Sequence, residues 1–217
     1  MRRTMMALCA AAALSAFCSC ARQGPSAEQL RAYGEAKASY AAGRLADAER
    51  ALRPLAKNQA LPQARFLLGK SLFFLGRHEE AATVFKDIGE RFPKYHEADI
   101  WLARAYLQQG RVDESDKVAR ELLANDSGDF RIHYLAAMVR VAQGDFVEAL
   151  AFLERASESG EELAKSDFES ARIYYRFGQD DKAIERLARA EAALPPTGPT
   201  REAVAELTTR LRKRGAK

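Results

Sequence analysis

The sequence predicts an all-α protein, a right-handed superhelical solenoid of about five helix pairs closed by a C-terminal capping helix. Three observations predict it. Gly43, Gly76, Gly110, Gly144 and Gly178 stand 33, 34, 34 and 34 residues apart, each at the end of an amphipathic stretch. Five residues after each glycine comes a small residue: Ala48, Ala81, Ser115, Ala149 and Ala183. Four further on stand Leu52, Phe85, Ala119, Leu153 and Leu187. A glycine takes the left-handed conformation that ends the first helix of a pair. The small residue lets the second helix approach closely, and the residue one turn on fills the space between them. One such pair cannot bury its own apolar stripes, so neighbours must stack.

The chain begins with the pattern of an export signal over residues 1–19: Arg2 and Arg3, an apolar run from Ala7 to Phe17, then Cys18 and Ser19. That run is well short of the roughly 20 residues a transmembrane helix needs. All three cysteines, Cys9, Cys18 and Cys20, fall at this end. Cleavage before Cys20 leaves one cysteine without a partner, although exported cysteines normally pair. Phe17-Cys18-Ser19-Cys20 resembles a bacterial lipobox, with Phe where Leu is usual. The resemblance implies acylation of Cys20, each buried methylene holding the chain by about 0.8 kcal/mol, and makes residues 20–28 an acylated terminus and linker. Cleavage without acylation, releasing the protein, is the alternative. Ala21 after the cysteine, rather than Asp, favours the outer over the inner membrane. The expected location is the bacterial cell envelope, facing the periplasm.

The unit at residues 62–95, PQARFLLGKSLFFLGRHEEAATVFKDIGERFPKY, resembles the tetratricopeptide repeat (TPR) at Leu68, Gly69, Gly76, Ala81, Phe85 and Pro93. The other units run 29–61, 96–129, 130–163 and 164–197, the last closing with Pro195. The third carries Ser115 and Ala119 at the small and aromatic positions and the fourth lacks the closing proline, so looser packing is expected in both. Pro195-Pro196-Thr197-Gly198-Pro199 breaks the pattern. Residues 198–217 then form a cap whose helix, Thr200 to Arg214, carries Val204, Leu207 and Leu211 on one face. Its basic tip, Arg210, Arg212, Lys213, Arg214 and Lys217, suits a helix C-terminus; the sharper reading is contact with anionic lipid or another envelope polymer.

In the family, the fifth, ninth and twelfth positions of each first helix face the concave wall. The resemblance implies a groove with Tyr33, Phe66, Ile100, Tyr134 and Phe168 at the fifth positions and Tyr40, Phe73, Leu107, Val141 and Tyr175 at the twelfth. Lys37, Lys70, Arg104, Met138 and Arg172 stand between them at the ninth. An apolar trough with a row of cations suits an extended or helical protein segment bearing apolar anchors and acidic groups. The competing reading packs the aromatic residues between repeats and pairs the cations with acidic residues of adjacent helices.

Other classes are disfavoured. Lysine and arginine number 34 against 30 acidic residues, a net charge of +4 that falls by two without Arg2 and Arg3, and the charges are interspersed. That is no nucleic-acid signature. His78, His96 and His133 lie in different repeats, and no metalloprotease, nucleophile-elbow, zinc or phosphate-loop pattern occurs. No cofactor, metal, small-molecule substrate or catalysis is expected. The expected function is a lipid-anchored periplasmic scaffold that binds a protein segment in its groove and serves assembly of an envelope complex. The alternative is a structural subunit of such a complex, held through its convex face and cap.

Overall fold

The computed structural model describes residues 24–125, 128–156 and 160–215. The export signal, Cys20 and Lys217 lie outside the described residues. Among the described residues there are eleven α-helices and no strand. The chain divides into two compact units, with the boundary between Ser71 and Leu72.

The first unit holds α1 (Ala27–Ala41), α2 (Leu45–Leu55) and most of α3 (Pro62–Phe74). Ser26 starts α1 with a reciprocal cap: its hydroxyl accepts from the Gln29 amide at 3.2 Å, and the Gln29 side chain accepts from the Ser26 amide at 3.0 Å. Ala36, Ala48, Leu52 and Ala64 are buried and let the helices meet closely. The Arg65 guanidinium donates to the carbonyl of Ala56, at the end of α2, at 2.7 and 3.0 Å, satisfying an acceptor that the helix leaves open.

The second unit continues with α4 (His78–Arg91), α5 (His96–Gln108), α6 (Val112–Asn125), α7 (Phe130–Gln143), α8 (Phe146–Ala156), α9 (Gly160–Arg176), α10 (Asp180–Ala193) and α11 (Pro199–Gly215). Gly76, Gly110, Gly144 and Gly178 separate first from second helices with φ of 78°, 73°, 83° and 69°, the left-handed region the repeat requires. The small residues that follow are all fully buried, Ser115 included. Its hydroxyl donates to the Ala103 carbonyl at 2.8 Å, so serine is accommodated between α5 and α6.

The third and fourth units, where the match to the repeat is looser, each hold a buried cluster. Ala119 is small, but Ile100, Leu122, Ile132 and Leu135 close around it in one buried cluster. In the fourth, Ala137, Ala149, Phe152 and Leu153 pack with Ile173 of α9. At the C-terminal end, Val204, Leu207 and Leu211 of α11 bury against Ala183, Leu187 and Ala190 of α10.

Ion networks add to this packing. Fully buried Asp167 of α9 meets Arg186 at 3.0 Å and Arg189 at 3.2 Å, both from α10, while Arg186 also reaches Glu154 of α8 at 2.8 Å. Burial alone would lower the Arg186 pKa; the bonds to Asp167 and Glu154 more than reverse this and raise it. Arg140 of α7 similarly pairs with Asp116 of α6 at 2.9 Å and Glu148 of α8 at 2.7 Å.

Candidate functional site

Side chains at positions i, i+4 and i+7 share a helix face. In the second unit this rule places Ile100, Arg104 and Leu107 of α5, Tyr134, Met138 and Val141 of α7 and Phe168 of α9 around one cavity of about 840 Å3. Phe73, at the end of α3, joins them. The first turn of α11 supplies Pro199, Thr200 and Ala203. The capping helix therefore also forms a wall of the site, beyond its expected role as a cover.

Four charged residues absent from the sequence-based set also line the cavity: Glu97, Arg131, Lys165 and Glu169. Glu97, Arg131 and Lys165 occupy the second position of their repeats, three residues before the fifth and so on the same face. That spacing was the available signal. The rim is consequently of mixed charge. Arg131 is held at its own helix start, its guanidinium bound to Asp129 at 2.6 Å, and this bond keeps the Asp129 carboxyl below the usual carboxylate range.

Tyr134 sits where these charges converge. Burial pushes its phenol up to about 12 and the Glu169 charge adds to the rise, while Arg104 and Arg172 draw it partly back. The hydroxyl is therefore protonated throughout the physiological range and can donate a hydrogen bond. Arg104 stacks its guanidinium 4.2 Å from the centroid of the Trp101 ring and 5.8 Å from that of Phe73. Phe73 in turn meets Trp101 edge to face at 5.2 Å, so the ring that presents Arg104 is itself fixed.

The ninth-position cations do not form a uniform row. Arg172 is exposed and pairs at 2.8 Å with Glu169, one turn away on its own helix and not on a neighbouring one. In the first unit, Lys37 is exposed, and the Lys70 ammonium lies 5.7 Å from the ring centroids of both Tyr40 and Phe66. Phe66 is buried there, and Tyr33 and Tyr40 are half-buried. Burial also raises the Tyr33 phenol. Tyr175 packs against the α10–α11 core cluster, and Arg214 of α11 covers its ring at 3.6 Å from the centroid. Neither Arg172 nor Tyr175 lines the cavity.

A family model described as tetratricopeptide repeat matches residues 72–139 and 140–211, and a second model of the same description matches residues 33–96. The chain belongs to the tetratricopeptide repeat family. A search of the curated proteins finds no match to this TPR chain. Among solved structures, it resembles a thermophilic TPR protein of Thermus thermophilus, with 19% identity, a TM-score of 0.73, and coverage of 83% of this chain and 99% of that one. A tetratricopeptide repeat protein of Parabacteroides merdae matches at 20% identity and a TM-score of 0.72, covering 83% of this chain and 70% of the other. A chain of the APC/C hetero-tetramer Cut9–Hcn1 matches at 14% identity and a TM-score of 0.72, over 84% of this chain and 36% of that one. At these identities the likeness concerns the fold. The TPR fold supports a role as a protein–protein interaction scaffold.

Proposed function

We propose that this TPR chain is an adaptor of the bacterial envelope, anchored by lipid at Cys20, that holds a short segment of a partner protein in the cavity between α5, α7, α9 and α11. The observation that carries the reading is the cavity itself: aromatic and aliphatic fifth- and twelfth-position side chains form its floor, and Arg104, Lys165, Glu97 and Glu169 stand around it. Its volume, about 840 Å3, falls in the range of roughly 300–1,000 Å3 usual for ligand sites. Affinity comes from apolar side chains leaving water, at about 25 cal/mol per Å2. The charged rim and the Tyr134 hydroxyl select the orientation of the bound segment. The mixed rim favours a segment that carries both charges over a purely acidic one. The anchor and the location rest on the lipobox resemblance of Phe17 to Cys20, and the adaptor role on the fold.

The test is crosslinking and capture from intact cells with the native chain, Met138→Glu and Cys20→Ala. Loss of one captured protein on Met138→Glu, with helical content and melting unchanged, supports binding in the cavity. Equal capture by both forms would move the interface elsewhere. Incorporation of a labelled fatty acid into the native chain and not into Cys20→Ala supports the anchor, and its absence from the native chain overturns it.

A further inference from the structure

The basic tip of α11 is folded back onto the turn between α9 and α10. Arg214 donates to the Tyr175 carbonyl and to the Asp180 carboxylate, each at 2.9 Å. The two residues after Tyr175 both reach Phe146, the first residue of α8: the Arg176 guanidinium lies 4.8 Å from its ring centroid, and Phe177 meets it edge to face at 5.3 Å. Next to Phe146, Val147 is 83% exposed, and Phe177 is 56% exposed. Arg176, Arg212 and Lys213 are exposed as well. These contacts bring together the start of α8, the turn after α9 and the tip of α11, an edge whose exposed side chains include Val147, Phe177, Arg176, Arg212 and Lys213.

The acidic residues of this edge do not cancel its charge. Asp180 is paired with Arg214. Asp145 turns to the start of α8, where its carboxylate accepts from the Glu148 amide at 3.1 Å, and the exposed Glu148 carboxylate pairs with Arg140 at 2.7 Å. Asp181 remains exposed. Exposed valine and phenylalanine side chains accompanied by arginine and lysine have the composition of a membrane-interface surface. At the boundary of headgroups and acyl chains, the apolar tips are buried while the cations meet phosphates.

We propose that this edge docks on an anionic lipid surface, with Val147 and Phe177 entering the acyl boundary and Arg176, Arg212 and Lys213 contacting headgroup phosphates. The docking uses none of the cavity residues and does not require acylation of Cys20, so it stands or falls apart from the adaptor reading.

The full chain carrying Val147→Trp provides the reporter, and the native chain, whose single Trp101 is buried, provides the background. Vesicles of brominated phosphatidylcholine are compared with the same vesicles containing brominated phosphatidylglycerol. The expected result is quenching of the Val147→Trp chain above the native background by the anionic vesicles only, lost when Arg212→Glu and Lys213→Glu are added and lost in concentrated salt. Contact quenching reads this edge, so insertion of the N-terminal apolar run alone leaves the reporter bright. A reporter no more quenched than the native chain overturns the proposal, and this is the outcome if the edge instead serves a protein partner. Equal quenching by the uncharged vesicles also overturns it. All three substituted positions are exposed, and far-ultraviolet circular dichroism checks that the fold is retained.

Discussion

The carboxylate of Asp99 in α5 lies so close to the backbone of Gly89 in α4 that a side-chain carbon on Gly89 would stand 2.7 Å from its Oδ1. A methyl group on Gly89 would have to displace this half-buried carboxylate. Burial raises the Asp99 pKa, Glu121 raises it further, and His96 opposes both.

The sign of the resulting pH dependence follows. A carboxyl whose folded pKa exceeds its unfolded value of about 3.9 is a liability once ionised. The penalty is present above the folded pKa, shrinks as pH falls through it, and is gone below the unfolded value. Asp99→Asn is expected to raise the melting temperature near pH 7 and to leave it unchanged near pH 3. Thermal melts at both values check this, and a lower melting temperature near neutrality refutes it.

Two glycine substitutions are expected to act in opposite directions. Gly110 has φ of 73° and Gly34 lies inside α1, and neither meets an atom within 4 Å of an added Cβ. Gly110→Ala therefore carries only the left-handed backbone cost, about 1–2 kcal/mol. Gly34→Ala gains about 0.5–1 kcal/mol from reduced freedom of the unfolded chain and better helix propensity. Urea unfolding of each variant measures both, and equal signs would contradict the account.

Asp167 is fully buried, whereas its partner Arg189 is 42% exposed. Asp167→Ala leaves the Arg186 guanidinium partly buried without its inner carboxylate and is expected to cost about 3–5 kcal/mol. Arg189→Ala removes a solvated partner and is expected to cost less than about 1 kcal/mol. Denaturant midpoints of the two variants discriminate; similar losses would show that the network is not organised around Asp167.

Near pH 11, above the ordinary tyrosine value of about 10, Tyr134 is expected to remain a phenol in the folded chain. Ultraviolet titration of tyrosinate should then give the same signal for the native chain and Tyr134→Phe at that pH. One additional tyrosinate in the native chain would show that the cavity does not shield this residue. Because the unfolded phenol ionises first, Tyr134 also contributes a loss of stability as pH rises from about 10 to about 12.

The sequence by itself determined the repeat: the turn glycines, the small residues after them, and Leu52, Phe85, Leu153 and Leu187 one turn on are legible because they depend on spacing along a helix of known pitch. The same spacing identified Ile100, Leu107, Tyr134, Met138 and Phe168 as candidates for one wall. Only the tertiary structure decided how their surroundings differ. Periodicity names a helix face and is silent on which long side chain from elsewhere reaches it. Arg214 covers Tyr175 from a helix 39 residues away in sequence, Trp101 orients Arg104, and the first turn of α11 turns a cap into a wall. The burial of Ala119 beside Leu122 and Ile132 was hidden for the same reason, since the partners of a small residue come from other helices. The edge formed by Phe146, Val147, Phe177 and the basic tip belongs to this second kind of information. Each residue reads alone as ordinary surface, and their meaning lies in being brought together.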